Sequence, residues 1–139
     1  MNEALNKKLN HFGLLALRSS TTMTMIAAHG LPKILNFSEH SAQFPDPLGI
    51  GPSLSMAMAI LGEVGCSLAI LAGIRVREAA LGLMGTMGLI FFVFHKDAPF
   101  EAKELSFMYF LISLSLVLLG GGNYTLPNFV RKLLRPRSA

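Results

Sequence analysis

Leu61-Gly62-Glu63-Val64-Gly65-Cys66 lies in the middle of an apolar run from Ser53 to Ile74. A run of that length reads as a membrane-spanning helix. Glu63 is the only charged residue in it. A carboxylate near the centre of a span costs several kcal/mol unless it faces protein or water. Glu63 therefore requires polar company, and the rest of the sequence can be searched for it.

The composition agrees with a membrane setting. The 139 residues are 52% hydrophobic and only 14% charged, where a soluble domain carries about a quarter charged residues. Mean hydropathy is +0.52. The chain reads as a multi-pass integral membrane protein of one domain. Its net charge of +4 comes from basic residues that flank apolar runs. That placement serves membrane topology, and no nucleic-acid partner is expected. Cys66 is the sole cysteine, which excludes an internal disulfide. The stretch Met1 to Asn10 does not read as a removable signal peptide.

Outward from Glu63, the apolar pattern predicts four spans, at about 13–35, 53–74, 79–95 and 104–119. Residues 1–12 read as a polar lead-in. The first span holds Arg18, Ser19, Ser20, Thr21, Thr22, Thr24 and His29, so much of it must face protein or water. Gly30 and Pro32 are expected to kink or unwind its last turn. Asn36 to Pro52, punctuated by prolines, reads as a loop. The tail, at about 126–135, mixes leucines with Arg131, Lys132 and Arg135 and reads as a short amphipathic helix on the membrane surface.

Orientation follows from the basic residues. One side collects Lys7, Lys8, Arg18, Arg75, Arg77, Arg131, Lys132, Arg135 and Arg137; the other has Lys33, Lys96 and Lys103 beside five acids. Both termini are thus expected in the cytoplasm, and the fold is expected to be an all-α membrane four-helix bundle. Gly62 and Gly65, with Gly82, Gly85 and Gly88, read as packing seams where helices approach closely.

Depth can be counted along each span at about 1.5 Å per residue. Side chains lean toward the N-terminus of their own helix. Glu63, on a descending span, leans outward, whereas His29, Lys33 and His95, on ascending spans, lean inward toward it. These residues predict a polar cavity in the outer half of the bundle, with Lys33 and Glu104 near its mouth. Arg18 leans away from Glu63, toward the cytoplasmic interface.

Two histidines and a carboxylate suit an iron or zinc ion, and two histidines on different helices can ligate haem. A carboxylate and a histidine can also exchange protons with a quinone. His-x-x-x-His, Glu-x-x-His and Cys-x-x-Cys-His spacings are all missing, so no metal ligand is assigned. No Gly-rich nucleotide fingerprint is present either. With so little soluble mass, any electron donor has to be a small cofactor or a partner protein.

The chain resembles the DoxX family of small four-span bacterial membrane proteins. The resemblance runs through Leu17-Arg18, His29-Gly30-Leu31-Pro32-Lys33-Ile34, Gly62-Glu63-Val64-Gly65-Cys66-Ser67-Leu68 and Leu71-Ala72-Gly73-Ile74-Arg75-Val76-Arg77. It continues in His95, Glu104-Leu105 and Leu119-Gly120-Gly121-Gly122, and so spans about residues 13–123. It implies a compact membrane bundle in the bacterial inner membrane. The family takes its name from a subunit of a thiosulfate:quinone oxidoreductase. By resemblance, Arg18, His29, Lys33, Glu63 and His95 match its recurring polar positions.

The expected function is a redox-associated membrane subunit of a quinone-linked oxidoreductase, not expected to act alone. Glu63 and His29 would exchange protons, while Arg18, Lys33, His95 and Glu104 would bind the ligand. A non-catalytic adaptor that stabilises a partner enzyme is the alternative, followed by a small-solute or proton pathway. Candidate partners are the lipid bilayer, a partner oxidoreductase subunit and further copies of the chain.

Overall fold

The computed structural model describes residues 2–134, and every regular element among them is a helix. The first, α1, begins at Glu3 rather than after a polar lead-in. Its start is fixed locally. The Asn2 side chain accepts from the Ala4 amide, Glu3 stands at the positive end of the helix, and Lys7 pairs with Glu3 one turn on. α1 covers Glu3–Met25 and continues through a widened turn at Ile26–Gly30 into Leu31–Leu35. Pro32 does not unwind it. In the widened turn the Leu31 amide reaches back five residues to the Ile26 carbonyl, which gives the proline ring room.

After two short helical turns, Phe37–His40 and Ser41–Gln43, the loop closes on the start of α2, Pro52–Ala72. Asp46 makes the closure: its carboxylate accepts from the Ile50 and Gly51 amides and from the Ser55 hydroxyl. α2 stops at Gly73, which is left-handed at φ 76. There the Gly73 amide bonds to Ile70 and the Ile74 amide to Ala69, the paired closure of a Schellman motif. The third helix, α3, is Val76–Phe94 and the fourth, α4, Phe100–Leu119. Gly120 ends α4 at φ 77. A last helix, α5, covers Leu126–Leu134 and starts on Thr125, which accepts from the Asn128 amide. Arg135 and Arg137, part of the expected tail and charge count, lie outside the described residues.

α2, α3 and α4 are each long and apolar enough to cross a membrane. α1 is not in that set, because Arg18, Lys33 and its hydroxyls dilute the apolar run. The hydroxyls are kept from costing hydrogen bonds by turning back on their own helix: Ser20 to Ala16, Thr22 to Arg18 and Thr24 to Ser20. α3 packs most extensively on α4, then on α2; α2 packs on α1, and α1 touches α4. Met25, Ile70, Ala80, Leu83, Met87, Tyr109 and Leu116 are buried between them. Leu61, Leu68, Leu81, Phe92 and Leu118 are exposed, as lipid-facing side chains are.

The expected seam in α3 is not a single line. Gly82 faces Cys66 on α2 and Gly88 faces Phe110 on α4, while Gly85 has open space beside it. At about 100° per residue, positions three apart precess around the helix, so each glycine meets a different neighbour. Gly62 has a sharper role. A Cβ there would collide with the Thr86 side chain, so the glycine lets α2 and α3 close together beside Glu63.

Candidate functional site

Glu63 is 1% exposed and sits in a widened turn of α2, Leu61–Gly65, where the Cys66 amide reaches back five residues to Leu61. Two more such turns carry the other candidates. His29 lies in the Ile26–Gly30 turn of α1, and His95 closes the Ile90–Phe94 turn of α3, its amide bonded to the Ile90 carbonyl. The turns of α1 and α2 pack directly on each other, with Gly30 making room for Val64. Single π turns in α-helices gather at functional sites, since the bulge re-aims side chains and frees backbone groups. Three helices here widen at the residues singled out from the sequence.

Lys33 answers the charge on Glu63. Its Nζ lies 2.6 Å from Glu63 Oε2 and also donates to the His29 carbonyl at 3.4 Å. The carboxylate side of the pair is nearly closed off, while the lysine keeps 24% of its side chain exposed.

The pair stands on the wall of a cavity of about 460 Å³. That volume is ordinary for a small-molecule pocket. Most of the wall is apolar, and its polar groups are few: Lys33, Glu63, His95, Ser55 and Thr86. Phe44, Pro45, Pro47 and Leu48, from the loop that Asp46 ties down, line it as well. Hydrogen bonds from Ser55, first, and from the neighbouring backbone amides hold the Asp46 carboxyl below its ordinary pKa. That anchored loop was not legible as part of the site.

The candidates do not all converge. His95 lines the cavity, and its Nδ1 is buried without a hydrogen-bond partner among the described residues. His29 is not on the cavity wall; its ring meets Tyr109 edge-on at 5.9 Å. Glu104 is exposed and lies off the wall, because the polar side chain turned back from that end of α4 is Lys103. Lys103 donates to the carbonyls of His95 and Lys96 and sits 5.1 Å above the Phe91 ring. Arg18 is buried at the opposite end of the helices, where it donates to the Tyr124 carbonyl. It does not reach an interface by stretching out to water. Cys66 rests its sulfur against Gly82, as a packing residue would. Among the described residues no three His, Cys, Asp or Glu side chains gather as a metal site requires.

Sequence reasoning missed Thr86 and Lys103. Thr86 bonds its own helix at Gly82 while its side chain faces Gly62 and the cavity. Its signal was the glycine opposite. Lys103 stands one position before Glu104, so counting depth alone could not separate them.

A family model described as DoxX matches residues 13–96. The match takes in Arg18, His29, Lys33, Glu63 and His95 and ends before Glu104. The inner membrane protein YqjF of Escherichia coli (strain K12) is 33% identical over 130 residues, which cover 91% of this chain and 98% of that protein. No solved structure matches the chain.

Proposed function

The chain belongs to the DoxX family and is an inner-membrane protein, and on that premise we propose that it binds a quinone-like molecule in the cavity at Glu63. The reading takes α1 to α4 as four spans of one domain, with both termini in the cytoplasm and the cavity in the outer half. α1 crosses in this arrangement because its polar face is turned to protein. One observation carries the reading: a buried Lys33–Glu63 ion pair on the wall of a cavity that is otherwise mostly apolar. A quinone has the matching shape, an apolar body with carbonyl oxygens at one end.

Lys33 can donate to such an oxygen, and His95 stands on the same wall. Glu63 takes or returns the proton as the pair opens. Reduction of a quinone takes two electrons with its two protons, and those electrons come from a partner oxidoreductase subunit. His95, on the wall, is better placed than His29 for proton exchange.

A second reading has an observation of its own. Lys33 already satisfies Glu63, as a buried pair that merely fixes helix register would. One variant separates the two. The charge-balanced variant Lys33→Met/Glu63→Gln in detergent, titrated with a water-soluble short-chain quinone, keeps its helix content but binds at least about tenfold more weakly, the loss of the charge-assisted hydrogen bond from Lys33 to the quinone oxygen. Unchanged quinone affinity in the folded double variant refutes the ligand-site reading. Loss of folded protein, with no quinone binding by the wild type, establishes the structural one.

A further inference from the structure

The end of the molecule opposite Glu63 holds a second group of buried polar atoms. Arg18 is 2% exposed, and one guanidinium nitrogen, Nη2, bonds the Tyr124 carbonyl. Its Nε and Nη1, and Nδ1 of His11, are buried with no hydrogen-bond partner among the described residues. Among the described residues no carboxylate forms an ion pair with Arg18. A charged group so enclosed and so incompletely bonded is costly unless an anion lies close to it.

A pocket of about 380 Å³ opens beside these groups, walled by Gly73, Arg77, Glu78, Gly120 to Gly122 and Thr125. The Arg18 guanidinium lies against one of those wall residues, Gly73, where a Cβ would collide with it and with Thr125. His11 Nδ1 lies against another, Gly122. Arg77 folds over Gly120 and donates to the Leu118 carbonyl. The acid on the wall, Glu78, pairs with Arg75 at 3.3 Å and lies within Coulombic reach of Arg77, and its single charge is set against those of Arg18, Arg75 and Arg77. The pocket is therefore positive.

Its surroundings are those of a membrane surface. Leu119 is an exposed wall residue, and Thr125 leads directly into α5, which shows Leu126, Phe129, Val130 and Leu133 to the outside along with Arg131 and Lys132. We propose that this pocket binds the phosphate headgroup of an anionic phospholipid. The phosphate sits between Arg77 and the Gly120 to Gly122 turn, with the Arg18 charge directly behind Gly73. The acyl chains run along Leu119 and the apolar side of α5. Basic pockets between helices on one side of a membrane take anionic headgroups in this way. The inference is independent of the quinone reading.

The test is thermal unfolding of the full chain in mild detergent, titrated with phosphatidylglycerol, phosphatidylcholine or inorganic phosphate. Phosphatidylglycerol raises the midpoint, and the other two leave it unchanged. Arg77→Gln, an exposed substitution that leaves the fold intact, weakens the phosphatidylglycerol response about fivefold, the loss of one basic contact at a membrane surface. The double variant Arg131→Gln/Lys132→Gln keeps most of the response. The proposal fails if phosphatidylglycerol gives no shift or if inorganic phosphate reproduces it. It also fails if only the α5 variant abolishes the response, which is then general surface charge.

Discussion

Replacing Lys33 with methionine keeps an unbranched side chain, one atom shorter, and removes the charge beside Glu63. At 2.6 Å and an effective dielectric of about 20, the gross attraction is about 6 kcal/mol. Desolvation of both groups cancels a large part of this, and the 24% exposure of Lys33 screens more. Stranding a buried carboxylate by removing its partner typically costs about 3–5 kcal/mol, and the partly open lysine puts Lys33→Met near the lower figure. Glu63→Gln alone costs less, because the group it leaves without a partner, Lys33, keeps 24% of its side chain exposed and is partly solvated. In the double variant Lys33→Met/Glu63→Gln no buried charge is left unpaired, so stability returns toward the wild type. Reversible unfolding of all four proteins in mixed micelles gives the coupling directly, expected at about 2 kcal/mol. A coupling below about 0.5 kcal/mol, within the scatter of independent sites, would refute the claim that the two side chains form one buried unit.

Two further substitutions test how the cavity is framed. Gly62→Ala pushes a methyl into Thr86 and lowers stability by about 1–3 kcal/mol, and adding Thr86→Ala recovers most of the loss. No recovery in the double variant means the two helices are not in contact at that point. Asp46 governs the loop over the cavity by pH. Its carboxyl is depressed in the folded state, so its contribution is full above the ordinary aspartate value, about 3.9, and is lost as pH falls through the lower folded value. Protection factors of the Ile50 and Gly51 amides, which divide out the intrinsic pH dependence of exchange, stay high near neutrality and fall only in acid, whereas Asp46→Ala lowers them at every pH.

Much of this layout can be read from residue order, but not all of it. The ends of α2 and α4 are legible because Gly73 and Gly120 adopt positive φ where an apolar run stops. That Glu63 needs polar company follows from its depth, and the lean of side chains on opposed helices offers Lys33 as one of three candidates, with His29 and His95. The start of α1 is less visible. A hydropathy pattern does not weigh an Asn2 cap or a Glu3–Lys7 pair, which extend a helix through polar sequence. The widened turns are invisible to periodicity, since five residues of π geometry change the facing of a side chain without changing its chemistry. That is why His29 could be placed near Glu63 by depth and still turn to Tyr109 rather than the cavity. Arg18 shows the same limit. Its distance from Glu63 can be counted along the helix, but its burial under the Tyr124 carbonyl depends on a chain return more than a hundred residues later.

The most direct test of the ligand site is native mass spectrometry of the protein extracted from its own membrane in mild detergent. The account predicts one isoprenoid quinone per chain, absent from Ala59→Phe, which fills the cavity while Lys33 and Glu63 both remain. A protein that emerges bare or with phospholipid alone, or an Ala59→Phe variant that still carries the quinone, would contradict it.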